Sequence, residues 1–327
     1  MKWYHAICAT VMLVPACMAP PEPADMARGA GPSEVSDKAS ASEARLMGWA
    51  DLTGRPLPEP DRVLQIGPDP ETDVVDLWLP DEEAPHPTVL MIHGGCWQKE
   101  IADRTLMNYA AAALREEGMA VWNIEYRGVD EPGGGYPGTF GDVARAVDAL
   151  SARGPALGLD TSRVVAFGHS AGGHLALWAA ARPNLPETSP LHQDDPFQLA
   201  AVVNSGGLAD LEASADVTQP GCLADIMGTL TGAPSEARPD VFADTSPAEL
   251  LPLGVRQINV NGTRDRIAPP ELGRALTEKA EAAGDDARFV AIDATGHVEL
   301  VSPGSLAFDM QTGMLKSLLG LDMPQED

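Results

Sequence analysis

Short apolar segments alternate with helical patterns from Asp61 onward. The apolar segments are rich in residues that favour β-structure, and their short length is typical of strands. Strands that alternate with helices are typical of a mainly parallel sheet with helices on its faces. We predict eight strands, at Arg62–Ile66, Val74–Leu79, Thr88–Ile92, Ala120–Glu125, Arg163–Phe167, Ala200–Asn204, Arg256–Val260 and Arg288–Ile292.

Three helices are indicated between and after these strands. Asp103–Glu117 carries apolar residues at helical spacing, and Gly118 is placed to end it. A second helix begins at Pro269-Pro270 and stops at Gly284, and a third begins at Ser302-Pro303. The apolar residues of the third helix lie on one stripe, which predicts its buried face: Leu306, Met310, Met314 and Leu318.

A long insertion is predicted in the second half of the chain. The segment from Arg182 to Pro252 contains one predicted strand and much Gly, Pro and Asp. Its second part, Leu208–Leu251, is too long for a simple connection between two elements. We therefore predict that residues 208–251 form a cap over a site.

The N-terminus has the pattern of an export signal. Lys2 precedes an apolar run, Ala6–Ala16, that is too short to span a bilayer but long enough for the core of a signal peptide. The run ends in Val14-Pro15-Ala16-Cys17, which resembles the cleavage box of bacterial lipoproteins, where the Cys is lipidated. We predict a signal peptide at residues 1–17, followed by lipidation at Cys17 or by plain cleavage nearby. The protein would then be a periplasmic or membrane-anchored lipoprotein, or a secreted protein.

The region after the signal is predicted to be a disordered tether. From Met18 to about Ala44 the chain is dominated by Ala, Pro, Glu, Ser and Gly, so burial cannot offset the entropy of ordering it. We place the tether at residues 18–60. A single α/β domain is then predicted at residues 61–320, which is an ordinary length for a large domain with an insertion.

The charge balance excludes several partners. The 327 residues include 22 Lys and Arg against 48 Asp and Glu, which gives a net charge of −26. Such a field repels phosphate backbones and anionic membrane surfaces, so we expect no nucleic-acid partner. Membrane attachment is predicted only through a lipidated Cys17. The sequence has no H-E-x-x-H, C-x-x-C or dinucleotide fingerprint, so no metal or cofactor is predicted.

A candidate nucleophile lies in Gly168-His169-Ser170-Ala171-Gly172. The motif directly follows a predicted strand and runs into a helix-forming segment. G-x-S-x-G in this context forms a sharp turn that exposes the Ser hydroxyl at the carboxyl edge of the sheet. A serine hydroxyl is a poor nucleophile until a base takes its proton, so a His held by a carboxylate must be within reach.

His297 is the predicted base among the seven His residues. It follows the last predicted strand, whereas His169 and His174 belong to the serine turn and are expected to pack or hydrogen-bond locally. Asp265 lies in the loop after the penultimate strand, where the carboxylate of this architecture is expected. Asp293 is the rival, but it ends the last strand only four residues before His297.

An oxyanion-binding loop is predicted at His93-Gly94-Gly95-Cys96-Trp97, which follows the third strand at the same sheet edge. Its glycines allow main-chain N–H groups to face a ligand, and loss of one such donor typically costs ~3 kcal/mol of barrier. The N–H of Ala171 would be the other donor. Three aromatic side chains could line an acyl pocket or could equally fill the core: Trp97, Tyr136 and Trp178.

These motifs, with Tyr126-Arg127, Gly262-Thr263-x-Asp265 and Gly296-His297, resemble those of an α/β-hydrolase over roughly Asp61 to Leu319. They are similar to the carboxylesterase and kynurenine formamidase-like branch, which includes enzymes that deacylate feruloyl and acetyl groups on xylan. The resemblance implies an α/β-hydrolase fold with a cap insertion. The roles that it implies are Ser170 as nucleophile, His297 as base, Asp265 as its orienting carboxylate, and Gly95, Cys96 and Ala171 as oxyanion donors. We also predict that Gly94 and Trp97 of the same loop take part in oxyanion or substrate binding.

The expected function is hydrolysis of short-chain carboxylic esters by a Ser-His-Asp acyl-enzyme mechanism, with a small neutral ester or amide as substrate. A kynurenine formamidase-type aryl amidase is the main alternative. A prolyl-oligopeptidase-like peptidase would need a large N-terminal propeller, but about 60 residues precede the first predicted strand. A non-catalytic relative would be expected to lack Ser170, Asp265 or His297, and all three are present.

Two cysteines remain once the signal is set aside, Cys96 in the predicted oxyanion loop and Cys222 in the insertion. An oxidising compartment favours pairing them. We hypothesise a disulfide that joins the insertion to the loop, and the alternative is two separate buried thiols.

Overall fold

The structure, a computed structural model, describes residues 45–215, 217–218 and 222–321. The predicted signal peptide, Cys17 and the predicted tether up to residue 44 lie outside the described residues. The eight predicted strands are all present, with ends shifted by a few residues: β1 Arg62–Gln65, β2 Val74–Trp78, β3 His86–Ile92, β4 Ala120–Ile124, β5 Leu159–His169, β6 Ala201–Ser205, β7 Arg256–Gly262 and β8 Ala287–Ile292.

The strands form one sheet in the order β1-β2-β4-β3-β5-β6-β7-β8. β1 and β2 pair antiparallel, and β2 is antiparallel to β4. All other neighbours are parallel. The predicted mainly parallel, eight-stranded sheet is therefore confirmed, and the carboxyl ends of β3, β5, β7 and β8 lie along one edge.

The described residues also form eight α-helices: α1 Trp49–Thr53, α2 Asn108–Glu116, α3 Gly138–Arg153, α4 Ala171–Ala181, α5 Leu211–Ala215, α6 Leu223–Thr231, α7 Pro270–Ala283 and α8 Leu306–Leu319. The helix predicted at Asp103–Glu117 begins as a 3-10 turn, Arg104–Met107, and continues as α2; the Asp103 carboxylate caps the start by accepting a hydrogen bond from the Thr105 N–H. We did not predict α3. Within the described part of the chain, no helix is long and apolar enough to cross a membrane.

The central strands send alternate side chains into two hydrophobic cores, one on each face of the sheet. In β3, Leu90 and Ile92 join the core that includes α3, α4 and the insertion. Val89 and Met91 join the core that includes α2 and α8. Burial on both faces explains why the central strands are continuous apolar runs.

The buried face of α8 differs from the predicted stripe. The helix begins at Leu306, after Ser305 caps its N-terminus. Leu306 is 67% exposed and Met310 is 39% exposed, so the predicted stripe is wrong at these two positions, whereas Met314 and Leu318 are partly buried against the core. The amide of Gln311 is buried instead: its Nε2 donates to the Leu300 and Ala307 carbonyls, which offsets part of the cost of burying a polar group, and its Oε1 has no hydrogen-bond partner among the described residues. The buried residues of the helix are Ala307, Phe308, Gln311, Thr312, Leu315 and Leu319.

The predicted tether is wrong for residues 45–60, which contain α1. Leu52 is fully buried in the core formed with α2 and α8. Arg55 donates to the Pro303 carbonyl (3.0 Å), and its own carbonyl accepts from the Tyr109 hydroxyl (3.3 Å). One buried leucine and several long-range hydrogen bonds therefore order a stretch that composition assigns to the tether.

The insertion at residues 208–251 is present and packs on α4. Trp178 of α4 donates from Nε1 to the Asp244 carbonyl (3.0 Å), and His174 donates from Nε2 to the Thr245 carbonyl (2.8 Å). Arg238 forms an ion pair with the buried Asp244. These bonds attach the C-terminal part of the insertion to the helix that follows Ser170.

Candidate active site

Ser170 lies in a strained turn between β5 and α4. Its backbone has φ 56° and ψ −121°, a positive φ that side-chain-bearing residues rarely adopt outside functional sites. The flanking glycines allow the turn to be this tight. A Cβ on Gly172 would lie 2.1 Å from the Ile92 carbonyl oxygen, and one on Gly168 would lie 2.1 Å from the Gly172 carbonyl oxygen. The predicted serine turn is therefore present, with Ser170 at the N-terminus of α4.

Asp265 and His297 are joined by a hydrogen bond of 2.6 Å between Oδ2 and Nδ1. Asp265 lies in the loop after β7, and its other oxygen accepts from the N–H groups of Ile267 and Ala268, which fix the carboxylate. Asp293, the rival, accepts instead from the Thr263 hydroxyl at an exposed position. Asp265 is thus the carboxylate placed to orient His297.

His169 supports the main chain of His297. Its Nε2 donates to the His297 carbonyl oxygen (3.1 Å). Burial, together with the neighbouring His297, lowers the pKa of His169 well below its usual value, so the ring is neutral. His169 therefore acts as a structural donor next to Ser170, as its position in the serine turn led us to expect.

The loop after β3 follows an unusual course beside Ser170. Gly95, Cys96 and Trp97 have φ values of 110°, 51° and 55°, so three consecutive residues are left-handed. A Cβ on Gly94 would lie 3.0 Å from the Cβ of Ser170, which shows how closely the loop approaches this serine. This close approach is what an oxyanion-binding loop requires.

Ser170 and His297 open into one cavity of about 380 Å³. Its other walls are Trp49, Thr53, Gly95, Cys96, Ile101, Ala102, Leu106, His169 and Ile267. No Asp, Glu, Lys or Arg side chain is among these wall residues. The cavity is therefore apolar around a polar catalytic centre, which is typical of a site for a small neutral ligand.

The walls of the cavity correct the predicted cap. Among the described residues of the insertion, none lines the cavity. The walls come instead from α1, the loop after β3 and the loop after β7. Trp49 was missed because it falls within the predicted tether, and a lone aromatic residue there carries no pattern that could have indicated its position.

Residues 75–280, more than half of the chain, match the family model described as BD-FAE. The chain belongs to the BD-FAE family. The match ends before β8, so the segment that carries His297 lies beyond it.

Individual relatives agree with this assignment. Probable carboxylic ester hydrolase LipM of Mycobacterium tuberculosis is 27% identical over 212 residues, which cover 63% of this chain and 48% of that protein. The chain thus spans about half the length of this curated relative. A truncated carbohydrate esterase from gut microbiota has a TM-score of 0.66 at 20% identity. The matched region covers 78% of this chain and 94% of that esterase. The butyrate-bound esterase Est2 of Thermogutta terrifontis has a TM-score of 0.62 at 19% identity. The matched region covers 81% of this chain and 96% of Est2. These likenesses show an α/β-hydrolase fold.

Trp97 of this BD-FAE family protein does not line the cavity. The side chain is fully buried, and its Nε1 donates to Nδ1 of His174 (3.2 Å). Burial lowers the pKa of His174 to about 4, so the ring is neutral and accepts at Nδ1 while it donates at Nε2. Tyr136 and Trp178 also bond to the insertion rather than face the cavity. The predicted substrate contact by Trp97 is therefore wrong, and Trp97 holds the oxyanion-binding loop to α4.

A buried ion pair supports the same loop from the other side. Glu125, at the end of β4, contacts His93 Nε2 at 2.8 Å and Lys99 Nζ at 2.6 Å. Burial alone would raise the pKa of Glu125, but His93 and Lys99 outweigh it and hold the pKa at about 2. The other nitrogen of His93 lies 2.7 Å from the Gly94 carbonyl oxygen. This network, which we did not predict from the sequence, connects the end of β4 to both ends of the loop.

Cys96 and Cys222 form a disulfide with a Cα–Cα distance of 5.1 Å. The hypothesised pairing is therefore confirmed, and the insertion reaches the wall of the cavity through Cys96. The two residues are 126 positions apart in sequence. A disulfide that closes a loop of this length removes many conformations from the unfolded chain.

We expect Cys96→Ser and Cys222→Ser each to lower the free energy of unfolding by about 3 kcal/mol, because either substitution removes the same cross-link. The double variant should lose about as much as either single variant. Denaturant unfolding without reductant measures all three, and non-reducing peptide mapping of the parent protein identifies the linked peptides. Additive losses in the double variant, or two free thiols at these positions in the parent, would contradict the disulfide.

Proposed function

We propose that this protein hydrolyses short-chain carboxylic esters through an acyl-enzyme on Ser170. One observation carries the proposal: the strained Ser170 and the Asp265-bound His297 open into the same uncharged cavity. Asp265 occupies Nδ1 of His297, which leaves Nε2 as the nitrogen that can take a proton. A nucleophile, a base and a group that orients the base are the parts that acyl transfer requires.

The proposed reaction has two halves. His297 Nε2 takes the proton of the Ser170 hydroxyl while Oγ attacks the ester carbonyl, and the carbonyl oxygen becomes an oxyanion. We assign the N–H groups of Gly95, Cys96 and Ala171 to that oxyanion. Ala171 is the first residue of α4, so its N–H has no hydrogen-bond acceptor within the helix. The His297 imidazolium then returns its proton to the leaving alkoxide, and the alcohol departs. Water repeats these steps on the acyl-enzyme and releases the acid.

The substrate class follows from the walls and the overall charge. The uncharged walls offer no partner to an ionic group, and a net charge of −26 repels polyanions. A cavity of about 380 Å³ also limits the size of what it can enclose. The relatives named for carboxylic ester hydrolysis, and the esterase solved with butyrate, support short neutral esters.

An aryl formamidase activity is the second candidate. A formyl group would occupy little of the cavity, so recognition would depend on the leaving amine. Trp49 supports this candidate, because its indole ring lies next to His297, with ring centroids 6.3 Å apart. The same triad would perform the reaction, so only the relative rates on esters and formamides separate the two activities.

We also propose that the protein is exported. The apolar run Ala6–Ala16 supports a signal peptide. The Cys96–Cys222 disulfide gives independent support, because disulfides persist mainly in oxidising compartments. Attachment to a membrane, if Cys17 is lipidated, would depend on acyl chains.

Substitution of the triad tests the mechanism. Ser170→Ala and His297→Ala should each lower kcat by about 10⁴- to 10⁶-fold, because members of a triad act as a unit. Asp265→Asn should lower it by about 10³- to 10⁴-fold, since His297 would then be held in the wrong tautomer. Asp293→Asn is the matched control. Its kcat should stay within about twofold of the parent value, because the carboxylate of Asp293 is exposed. Turnover of p-nitrophenyl acetate measures all four, and the reverse order for the two aspartates would reject Asp265.

An acyl series tests the substrate class. We expect kcat/KM to be highest for acetyl or butyryl p-nitrophenyl esters and to fall for octanoyl and palmitoyl esters, because the bounded cavity excludes long chains. N-formylkynurenine is assayed beside them. A maximum at palmitoyl would show an open lipid-binding groove. A formamide rate far above every ester rate would favour the amidase.

Fractionation of cells that express the full chain tests export. If Cys17 is lipidated, Cys17→Ser should move the protein from the membrane fraction to the soluble fraction, because stable anchoring would require the acyl chains. N-terminal sequencing of the mature protein is the control. A mature N-terminus other than Cys17 would remove the lipoprotein proposal, and an uncleaved chain in the cytoplasm would remove export.

A further inference from the structure

The segment at residues 45–53, here called the N-terminal segment, is bound to the loop that carries His297. The Met47 N–H donates to Oε1 of Glu299 at 2.5 Å, and the other oxygen of Glu299 accepts from the Gly296 N–H. Leu52 adds a fully buried apolar anchor. One carboxylate therefore connects the N-terminal segment to the residue that directly precedes His297.

Trp49 projects from this segment into the catalytic cavity. Its ring lies edge-on to His297 and His169, with centroid distances of 6.3 Å and 6.0 Å. The side chain is 37% exposed, although the helix that carries it is anchored. An indole that is fixed, half-exposed and next to the catalytic base is positioned to contact a ligand.

The position of His297 determines which part of an ester Trp49 would meet. The base of an acyl-transfer triad returns its proton to the leaving group, so the leaving group must lie next to His297. The carbonyl oxygen lies on the other side, toward Gly95 and Cys96 of the oxyanion-binding loop. A side chain in contact with His297 therefore faces the alcohol of the ester and not its acyl chain.

We propose that Trp49 forms the leaving-group subsite and selects esters of planar, apolar alcohols. This inference rests on the proposed ester hydrolysis. Thr53 and Leu106 share the cavity with Trp49, and the walls contain no acidic or basic residue. An aromatic alcohol can pack against the indole, and moving its apolar ring out of water costs little free energy. A short alkyl alcohol has too little surface to gain much binding free energy from the same contact.

The test compares two acetate esters that differ only in the alcohol, 2-naphthyl acetate and ethyl acetate. Trp49→Ala should lower kcat/KM for 2-naphthyl acetate by about tenfold, mainly through KM, and leave ethyl acetate within about twofold. Trp49→Phe should restore most of the loss, because it keeps a ring. Leu57→Ala is the matched control, since Leu57 is an exposed apolar residue that follows the same helix and lies outside the cavity.

Two results would overturn the inference. If Trp49→Ala lowers kcat/KM equally for both acetates, Trp49 only positions His297. A loss that changes with acyl length across p-nitrophenyl esters, where the alcohol is constant, would place Trp49 on the acyl side. Thermal unfolding of each variant, compared with the parent protein, shows whether a loss of activity comes from misfolding instead.

A binding measurement separates the subsite from the proposed reaction. Calorimetric titration of 2-naphthol into Ser170→Ala, with and without Trp49→Ala, requires no turnover. Trp49→Ala should weaken binding by about tenfold. Unchanged affinity would overturn the subsite even if the esterase activity is found. If the parent protein turns over no ester but Trp49→Ala still weakens 2-naphthol binding, the proposed function is rejected and the aryl-binding subsite is retained.

Discussion

The turn at Ser170 is the constraint on which the rest of the site depends. Its positive φ is possible only because Gly168 and Gly172 let α4 approach the end of β3 to a distance that no Cβ would allow. β3 and β5 are parallel neighbours, so their carboxyl ends already lie side by side. The loop after β3 must then pass directly over the nucleophile, where Gly94 leaves room for it. The pairing of β3 with β5 and the glycines of the two turns thus bring the loop after β3 against Ser170.

That loop is strained as well, and buried polar pairs hold it in place. Glu125 and His93 support it at the sheet, and Trp97 and His174 attach it to α4. Each of these groups would be costly to bury alone, but in pairs their hydrogen bonds are satisfied. These bonds attach the loop at both the sheet and α4. In the proposed reaction, donors held in place stabilise a developing charge without reorganisation.

Two residues that meet at the cavity lie outside the stretch that matches the family. That match covers residues 75–280, whereas Trp49 precedes it and His297 follows it. The two meet because Glu299 binds the main chain of the N-terminal segment. The matched stretch contains Ser170, Asp265 and most of the cavity walls. The two flanking segments add Trp49 and His297 to the same cavity.

The sequence by itself predicted the order of the strands along the chain and the serine turn, and it singled out Ser170, Asp265 and His297 as residues of one site, which the structure brings together. Each depends on local chemistry: apolar strand runs, glycines where a Cβ would collide, and polar residues that follow strands. Only the tertiary structure decided which face of α8 is buried, that Trp97 supports the oxyanion-binding loop, and that Trp49 lines the cavity. These outcomes depend on contacts between residues far apart in the chain, such as Trp49 with His297 and Trp97 with His174. A local pattern carries no information about a partner that only folding brings near.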